Sequence, residues 1–384
     1  MSAPGYAPLR WGVNLPLPGR ALLEHRRVIE AFPDLGYADV WTGEGGGFDA
    51  FTPLTAAAAW QPRLNVGTGV VPVFTRGHGV LAQTAGTLAE VTRGEVLLGV
   101  GSSVPAHVTA LNGVPHGKPL ARVRDTVRFL KAAFRGEVVR EDYETFSARG
   151  FHLGFAPARP PLVLVGALRE KMTRLAYDEA DGAVLNLLGA DDLGPVLRRA
   201  DAPRPGRRTV VKLFVQPTAD ADEARATGRG FLGWILNQKP YRAFHAELGR
   251  ADLLRASGER FDHGDRHGAG AAIPDEVVDA LWIHGSPESC REQIARFVVP
   301  GVTAINLFVA PTPELRRRPE TLPALLQALR PDVSSGPTAG GPAASAPGAS
   351  SRPASAAGRA TVVDPPGRPT ASRPSPAPEE SHRV

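Results

Sequence analysis

Runs of apolar residues alternate along the chain with longer amphipathic segments, and this alternation predicts both strands and helices. The clearest example is LNVGTGVVPVF, followed by HGVLAQTAGTLAEVTRG and then by EVLLGVGSS, within residues 64–103. Continuous apolar runs of this length are typical of strands that helices cover on both faces. The runs contain glycines near their ends, which let a ligand approach the backbone closely. The segment therefore predicts an α/β fold that holds a ligand at the ends of its strands.

The pattern of an apolar run followed by a helical segment repeats along the chain, and each apolar run predicts a strand. The predicted strands are Arg10–Leu15, Asp39–Thr42, Leu64–Val71, Glu95–Val100, Leu162–Val165, Ala183–Leu187, Val210–Val215 and Thr303–Val309. This alternation is typical of a (β/α)8 barrel, the TIM-type barrel. The rival, an open doubly wound sheet, would have fewer units and a first turn of the form G-x-G-x-x-G. Residues 15–19 read LPLPG, so we predict an α/β protein with the barrel fold and insertions.

Helices, one hairpin and one insertion are predicted between these strands. An amphipathic helix is the clearest of them, because its apolar residues step by three and four along one face. These residues are Leu120, Val123, Val127, Leu130 and Phe134. The other predictions are helices over Leu22–Leu35 and Glu170–Ala180, a helix that begins at the N-cap Thr52, a hairpin over Val138–Leu153 and a helical insertion over Ala221–Ala280.

The composition is typical of a globular protein and argues against several classes. Hydrophobic residues make up 42% of the chain, and the net charge is +5 at pH 7. Basic clusters such as Arg26-Arg27 are short and do not form the concentrated stripe of a nucleic-acid binder. No apolar run reaches the roughly 18 residues of a membrane span, and no signal peptide is evident. The single cysteine, Cys290, allows no internal disulfide, so we expect a cytoplasmic protein.

The chain divides into three predicted parts. Residues 9–331 are predicted to form one domain, because no linker-like segment interrupts them, and residues 1–8 are predicted to be a flexible N-terminus. Proline, alanine, serine and glycine dominate residues 332–384. A segment of this composition buries too little apolar surface to offset the entropy of ordering, so we predict a disordered tail.

Uncharged residues dominate the predicted strand ends, where a barrel of this kind has its active site. These ends include Asn14, Glu44, Gly69–Val71, Ser102-Ser103 and Gly166-Ala167. Glu44 is the one carboxylate directly after a strand, and it either acts in catalysis or caps the second helix. The ten histidines show no metal-ligand spacing, so no metal is predicted. Such a rim suits chemistry performed by a bound organic cofactor, with the protein supplying shape and a few polar contacts.

Several segments carry a resemblance to a known family. They read ADVWTGE and DAFTPLTAAA around the second strand, then LNVGTGVVPVFTR and AQTAGTLAEVTRGEVLLGVGSS, and finally IHGSPESCREQIARF before the last strand. These segments resemble the bacterial-luciferase-like oxidoreductases, and most closely the actinobacterial group that depends on coenzyme F-420, a deazaflavin. The resemblance extends over residues 11–309 and keeps its order along the chain.

The resemblance implies a (β/α)8 barrel with a flavin or deazaflavin in its mouth. In this family a non-prolyl cis peptide lies behind the cofactor ring, and the matching bond here is Gly69–Val70. The cofactor phosphate is usually held after the fourth strand and at the start of the fifth helix. The matching residues are Ser102, Ser103, Gly166, Ala167 and Arg169, with Arg169 as a charge partner.

Two positions depart from the family pattern. Relatives often have a histidine directly after the glutamate of the second strand, and here Gly45 takes that place. Relatives tend to have Gly-Pro near the start of the fifth helix, and here Arg169-Glu170 take that place. Asn14 and Glu44 lie at adjacent predicted strand ends and are therefore our candidates for catalysis. Glu44 would orient the substrate or relay a proton.

The leading hypothesis is an oxidoreductase that uses reduced coenzyme F-420 for hydride transfer to a small organic substrate. The alternative among enzymes is a monooxygenase that uses reduced FMN and oxygen. A hypothesis from another class is a cofactor-free barrel without catalysis, which serves as a binding or assembly subunit, and the two departures keep it open. A homodimer is also left open.

Overall fold

Strands and helices alternate in the computed structural model of the chain, which describes residues 5–45 and 47–331. The predicted disordered tail, residues 332–384, lies outside the described residues, and so do residues 1–4 of the predicted flexible N-terminus. None of the helices in the described ranges combines the length and apolar character that a membrane span needs.

Eight parallel strands close into a barrel, which confirms the predicted fold. In chain order the strands are β1 (Arg10–Asn14), β2 (Asp39–Thr42), β3 (Asn65–Thr68), β4 (Val71–Pro72), β5 (Val96–Gly101), β6 (Val139–Asp142), β7 (Ser147–Phe151), β8 (Leu162–Gly166), β9 (Gly182–Asn186), β10 (Arg208–Gln216), β11 (Ile283–His284) and β12 (Ala304–Val309). The barrel order is β1-β2-β3-β5-β8-β9-β10-β12, and β12 pairs with β1 to close it. The predicted hairpin is the antiparallel pair β6 and β7.

Helices follow the barrel strands and also fill one long insertion. They are α1 (Arg26–Glu30), α2 (Phe51–Trp60), α3 (His78–Val91), α4 (Pro105–Asn112), α5 (Pro119–Phe134), α6 (Glu170–Asp178), α7 (Ala190–Arg199), α8 (Ala221–Ile235), α9 (Lys239–Glu247), α10 (Arg255–Asp262), α11 (Arg266–Ala271), α12 (Asp275–Leu281), α13 (Pro287–Ala295), α14 (Pro313–Arg317) and α15 (Leu322–Leu329). The helices α8 to α12 confirm the predicted helical insertion.

The predicted start of the second helix is wrong. We expected Thr52 as the N-cap, but α2 begins at Phe51. Asp49 Oδ1 accepts hydrogen bonds from the backbone N–H groups of Phe51 and Thr52, at 2.9 and 3.0 Å. The carboxylate of Asp49 therefore satisfies the donors of the first turn that lack a partner within the helix. Pro53 lies in the same first turn, where its missing N–H group breaks no helical hydrogen bond.

The structure differs from the prediction at three further places in the chain. The first predicted helix, Leu22–Leu35, is a 3-10 turn over Leu22–His25 followed by the short α1. The third predicted strand is split into β3 and β4, because the chain leaves the sheet at Gly69 and Val70. The helix α4 was not predicted, and it buries only Val108, so no apolar periodicity marks it in the sequence.

The interior of the barrel is filled around Trp41, which is fully buried on β2. The neighbouring strands carry glycine where this ring lies. A methyl group on Gly12 of β1 would lie 2.6 Å from Trp41 Cδ1, and one on Gly67 of β3 would lie 2.5 Å from Trp41 Cε3. The ring packs with buried residues from other strands, among them Leu97 and Val184. This cluster closes the barrel interior, so any cavity must begin above it, towards the carboxyl ends of the strands.

We expect Gly67→Ala to lower the free energy of unfolding by about 1–3 kcal/mol, because the added methyl group overpacks the barrel against Trp41. Gly230→Ala is the matched control, since Gly230 is exposed on α8 and an added Cβ meets nothing within 4 Å. The control should gain about 0.5–1 kcal/mol from the better helix propensity of alanine. Urea denaturation measures both changes. Equal stabilities of Gly67→Ala and wild type would contradict the packing around Trp41.

Candidate active site

A cavity of about 1,000 Å³ opens at the carboxyl ends of the barrel strands. All eight barrel strands, or the loops that follow them, contribute to its lining. Its volume lies at the upper end of the roughly 300–1,000 Å³ that is typical of sites for small molecules and cofactors. This is the end of a (β/α)8 barrel at which such enzymes carry out their chemistry. The cavity is therefore the candidate active site.

The cavity brings together every predicted site residue except one. Its lining includes Asn14, Glu44, Gly69, Val70, Ser102, Ser103, Gly166 and Ala167. Arg169 is absent from this lining. Its side chain is half exposed, and Arg169 Nη2 lies 2.5 Å from Glu247 Oε1 on α9. A contact between Arg169 and a cofactor phosphate stays a prediction.

Gly69 and Val70 form the connection between β3 and β4, and their peptide bond is cis, as predicted. The side chain of Val70 lies against two glycines on the neighbouring strands. A Cβ on Gly101 would lie 2.8 Å from Val70 Cγ2, and a Cβ on Gly166 would lie 3.0 Å from Val70 Cγ1. Glycine at these two positions therefore makes room for Val70, which forms one wall of the cavity.

The segment after β5 and the loop that leads from β8 towards α6 both border the cavity. Ser103 has a positive φ of 57°, and His116 Nε2 donates a hydrogen bond to the carbonyl oxygen of Ser102 at 2.9 Å. The first backbone N–H groups of α6 have no acceptor within the helix, and such groups favour an anion. Glu170, in that first turn, is paired with Arg174 at 2.9 Å, which offsets its negative charge.

Glu44 forms an ion pair that the sequence did not reveal. Arg76, from the segment between β4 and α3, donates to Glu44 Oε1 through Nη2 at 2.6 Å and through Nε at 3.0 Å. These hydrogen bonds raise the pKa of Arg76. The contact from the Ala50 backbone N–H to Glu44 is long, at 3.5 Å, whereas Asp49 caps α2 closely. Glu44 is thus chiefly the ion-pair partner of Arg76, and it still borders the cavity.

Asn14 is held by two hydrogen bonds. Its Nδ2 donates to the carbonyl oxygen of Leu15 at 2.7 Å, and its Oδ1 accepts from Asn306 Nδ2 at 3.3 Å. Asn306 is fully buried on β12, and its Oδ1 has no hydrogen-bond partner among the described residues. The amide of Asn14 is therefore oriented from below, at the floor of the cavity.

Lys212 is the functional candidate that the strand-end argument missed. It lies in the middle of β10, beside Asn186 of β9 and Asn306 of β12, and it borders the cavity. No carboxylate in the described part of the chain lies within 4 Å of its ammonium group, which faces the rings of Phe214 and Phe308 at 5.5 Å. Burial lowers its pKa to about 8. A single lysine inside the apolar run VVKLFV is the signal that could have identified it.

Aromatic side chains form the wall around Lys212. Phe214 and Phe308 come from β10 and β12, and the insertion adds Phe231, Trp234 and Tyr241. Phe231 and Trp234 are 40% and 43% exposed, although both lie on the cavity. Burial raises the pKa of the Tyr241 hydroxyl. The insertion, whose sequence carries no recognisable motif, thus supplies apolar surface to the site.

The sequence matches the family described as luciferase-like monooxygenases over residues 8–304. The chain belongs to this family. The match covers most of the chain and confirms the resemblance found in the motifs of the second to fourth strands. The family assignment makes the chain a flavin- or deazaflavin-dependent oxidoreductase.

Known proteins agree with this assignment. A 5,10-methylenetetrahydromethanopterin reductase of Archaeoglobus fulgidus is 27% identical over 309 residues, which are 77% of this chain and 92% of the relative. The structure of the coenzyme F420-dependent tetrahydromethanopterin reductase of Methanopyrus kandleri superposes with a TM-score of 0.65 at 17% identity, covering 84% of this chain and 97% of that chain. The oxygenating constituent of 3,6-diketocamphane monooxygenase of Pseudomonas putida, in complex with FMN, gives a TM-score of 0.55 at 18% identity, covering 83% and 96%. The two structures share the fold of this chain.

We expect Lys212→Met to raise the free energy of unfolding at pH 7 by about 1–2 kcal/mol. Because burial lowers the pKa of Lys212, its charged form destabilises the folded chain relative to the unfolded chain. Each pKa unit corresponds to about 1.4 kcal/mol, and partial exposure and the ring contacts reduce this destabilisation. Between pH 8 and the usual lysine value of 10.5 the folded wild type is neutral at Lys212, so it regains stability and the difference shrinks. Urea denaturation at pH 7 and at pH 9.5 measures this. A variant less stable than wild type at pH 7 would contradict the account.

Proposed function

We propose that the chain transfers a hydride from reduced coenzyme F-420 to a small organic substrate. The observation that supports this most strongly is the large cavity at the carboxyl ends of the barrel strands, whose wall at Val70 is accommodated by Gly101 and Gly166. The name of the Methanopyrus protein favours a deazaflavin, since it is a coenzyme F420-dependent tetrahydromethanopterin reductase.

The residues around the cavity fit a cofactor of this kind. Val70 and the two glycines beside it leave an apolar surface on which a planar ring can pack. Ser102, Ser103 and the first N–H groups of α6 would hold its phosphate. When bound, the reduced deazaflavin supplies a hydride, and the protein supplies orientation and the exclusion of water.

The remaining residues would act on the substrate side. Glu44 is fixed by Arg76, so it would orient a substrate hydroxyl or pass a proton without moving far. Asn14 is fixed by Asn306 at the floor. Gly45 in place of the usual histidine leaves open space, because a Cβ there would meet nothing within 4 Å. The aromatic wall would exclude water while the hydride is transferred.

A second candidate is a monooxygenase that uses reduced FMN and oxygen. The family description and the FMN complex of the Pseudomonas putida enzyme favour it. The surface around Val70 suits either ring equally, because it consists of backbone and an apolar side chain and offers no specific polar contact.

Anaerobic titration with coenzyme F-420 and with FMN, followed by visible absorption, decides between the two cofactors. We expect coenzyme F-420 to bind more tightly, and its reduced form to be oxidised without oxygen when a panel of carbonyl compounds is added. Tighter binding of FMN together with oxygen-dependent turnover would favour the monooxygenase. Binding of neither cofactor would support the non-catalytic barrel.

The phosphate seat is tested by cofactor affinity. We expect the double substitution Ser102→Ala, Ser103→Ala to weaken the binding of coenzyme F-420 about tenfold. If the guanidinium of Arg169 leaves Glu247 for the phosphate, Arg169→Ala should weaken the binding more than this double substitution does, because charge-assisted hydrogen bonds are roughly twice as strong as neutral ones. Arg296→Ala is the control, since Arg296 is a half-exposed arginine paired with Asp191 outside the cavity. Unchanged affinity in all variants would place the phosphate elsewhere. Tighter binding in Arg169→Ala would instead mean that this side chain obstructs the seat.

The role of Glu44 is tested by turnover. We expect Glu44→Gln to lower kcat about 10²-fold or more while the cofactor dissociation constant stays unchanged, because a positioned acid or base contributes roughly 10²–10⁴-fold. Glu179→Gln is the matched control: Glu179 also accepts two hydrogen bonds from one arginine, Arg128, but it lies outside the cavity. Full turnover in Glu44→Gln would reduce Glu44 to a structural partner of Arg76.

A further inference from the structure

Lys212 and the Val70 wall face each other across the barrel. In the closed order of eight strands, β10 stands four places from β3, which is the opposite side of the ring. On β10, Val210 packs in the interior cluster around Trp41, so Lys212, two residues later, points to the same interior. Phe214, a further two residues along, continues that face towards the mouth. A ligand that packs on Val70 therefore has Lys212 on its far side.

Nothing in the packing gives Lys212 a structural task. Partly buried lysines with a structural role are paired, as Lys131 is with Asp181 at 2.9 Å. Lys212 has no carboxylate within 4 Å among the described residues, and the side chains beside it on β9 and β12 are the amides of Asn186 and Asn306. A cation without a counter-ion on the wall of a cavity is available for a negative charge that the ligand brings or develops.

The surroundings of Lys212 restrict what that ligand is. The aromatic wall around Lys212 favours a ligand with a planar aromatic ring, which can stack against it. This wall consists of Phe214, Phe308, Phe231, Trp234 and Tyr241. The carboxylates on the lining are Glu44, which Arg76 engages, and Asp49, which caps α2. No free carboxylate of the described lining is therefore left for a cationic substrate, whereas Lys212 suits an oxygen that becomes negative.

We propose that the substrate is an aromatic aldehyde or ketone, whose ring packs on the aromatic wall and whose carbonyl oxygen takes a proton from Lys212 as the carbon takes the hydride. This assignment rests on the proposed hydride transfer. It makes Lys212 a catalytic residue and gives the insertion α8–α9 the task of selecting the substrate.

The reaction balances in atoms and electrons. The carbonyl carbon gains a new C–H bond with the electron pair of the hydride, and the C=O π bond breaks. The carbonyl oxygen forms an O–H bond with a proton from Lys212 Nζ, which leaves the neutral amine and an alcohol. The reduced cofactor would supply the hydride and one further proton, and water would carry a proton back to the neutral amine of Lys212.

The pKa of about 8 suits this step, since the ammonium group is present at neutral pH and gives up its proton readily. The other titratable groups on the described lining are Glu44, Asp49, His107 and Tyr241. The neighbouring strands add no charge beside Lys212, because they place Asn186 and Asn306 there. The rate should therefore fall as the pH rises above about 8, and Lys212→Met should abolish that fall.

Two variants and a control test the role of Lys212 in turnover, with reduced coenzyme F-420 and benzaldehyde as the probes. We expect Lys212→Met to lower kcat at least 100-fold with cofactor affinity unchanged. Lys212→Arg keeps the charge but holds its proton too tightly, so it should also lose turnover. Lys118→Met, at an exposed lysine outside the cavity lining, should behave as wild type. Turnover of Lys212→Met within threefold of wild type would overturn the assignment, and thermal melting shows that each variant is folded.

Binding to the cofactor-free protein separates this inference from the proposed function. Benzoate carries an aromatic ring and an anionic oxygen, and cyclohexanecarboxylate is its non-aromatic counterpart. By ligand-observed NMR we expect wild type and Lys212→Arg to bind benzoate, Lys212→Met to bind it at least tenfold more weakly, and all to prefer benzoate to cyclohexanecarboxylate. Equal binding by Lys212→Met, or no preference for the aromatic acid, would overturn the substrate class. Lysine-dependent benzoate binding without oxidation of reduced F-420 or reduced FMN would support the pocket and refute the hydride transfer.

Discussion

The packing of Trp41 between two glycines is the constraint on which the rest of the site depends. Gly12 and Gly67 lie on the strands to either side of β2, and a side chain at either position would collide with the indole ring. The ring thereby fills the lower part of the barrel interior, together with apolar residues of the other strands. Because the core is closed at this level, the residues one layer higher are free to be polar. That layer forms the floor of the cavity.

The polar layer has a cost that the apolar layer beneath it offsets. Among the described residues, Lys212 is half-buried without a carboxylate within 4 Å, and Asn306 keeps a buried oxygen without a hydrogen-bond partner. Buried polar groups of this kind destabilise a fold, and they are concentrated where a ligand can complete their contacts. By contrast, the ion pair of Arg10 with the fully buried Asp39, at the opposite end of the barrel strands, is complete at 2.9 Å. The two ends of the barrel are thus specialised, one for stability and the other for ligand contacts.

Local pattern predicted the strands well, because strands that are buried on both faces are apolar along their whole length. It also placed Asn14, Glu44 and the glycines at the mouth, since parallel strands carry their carboxyl ends to one side. It could not find Arg76 or Lys212. Arg76 reaches Glu44 across a separation of 32 residues, a pairing that no periodicity records. Lys212 lies within a strand rather than at its end, so only the closed barrel reveals that its side chain enters the cavity.

The two sides of the cavity come from different kinds of sequence, and this separation has a functional meaning. The side around Val70 is built from β3 to β8, where the family motifs lie and where glycines fix the shape through the backbone. The opposite side is built from β10, β12 and the insertion, where the insertion carries no recognisable motif and the side chains are aromatic. Backbone shape is retained when side chains change, whereas an aromatic wall changes with every substitution. A barrel arranged in this way can keep one cofactor chemistry while its substrate varies, because the residues that determine each lie on different strands.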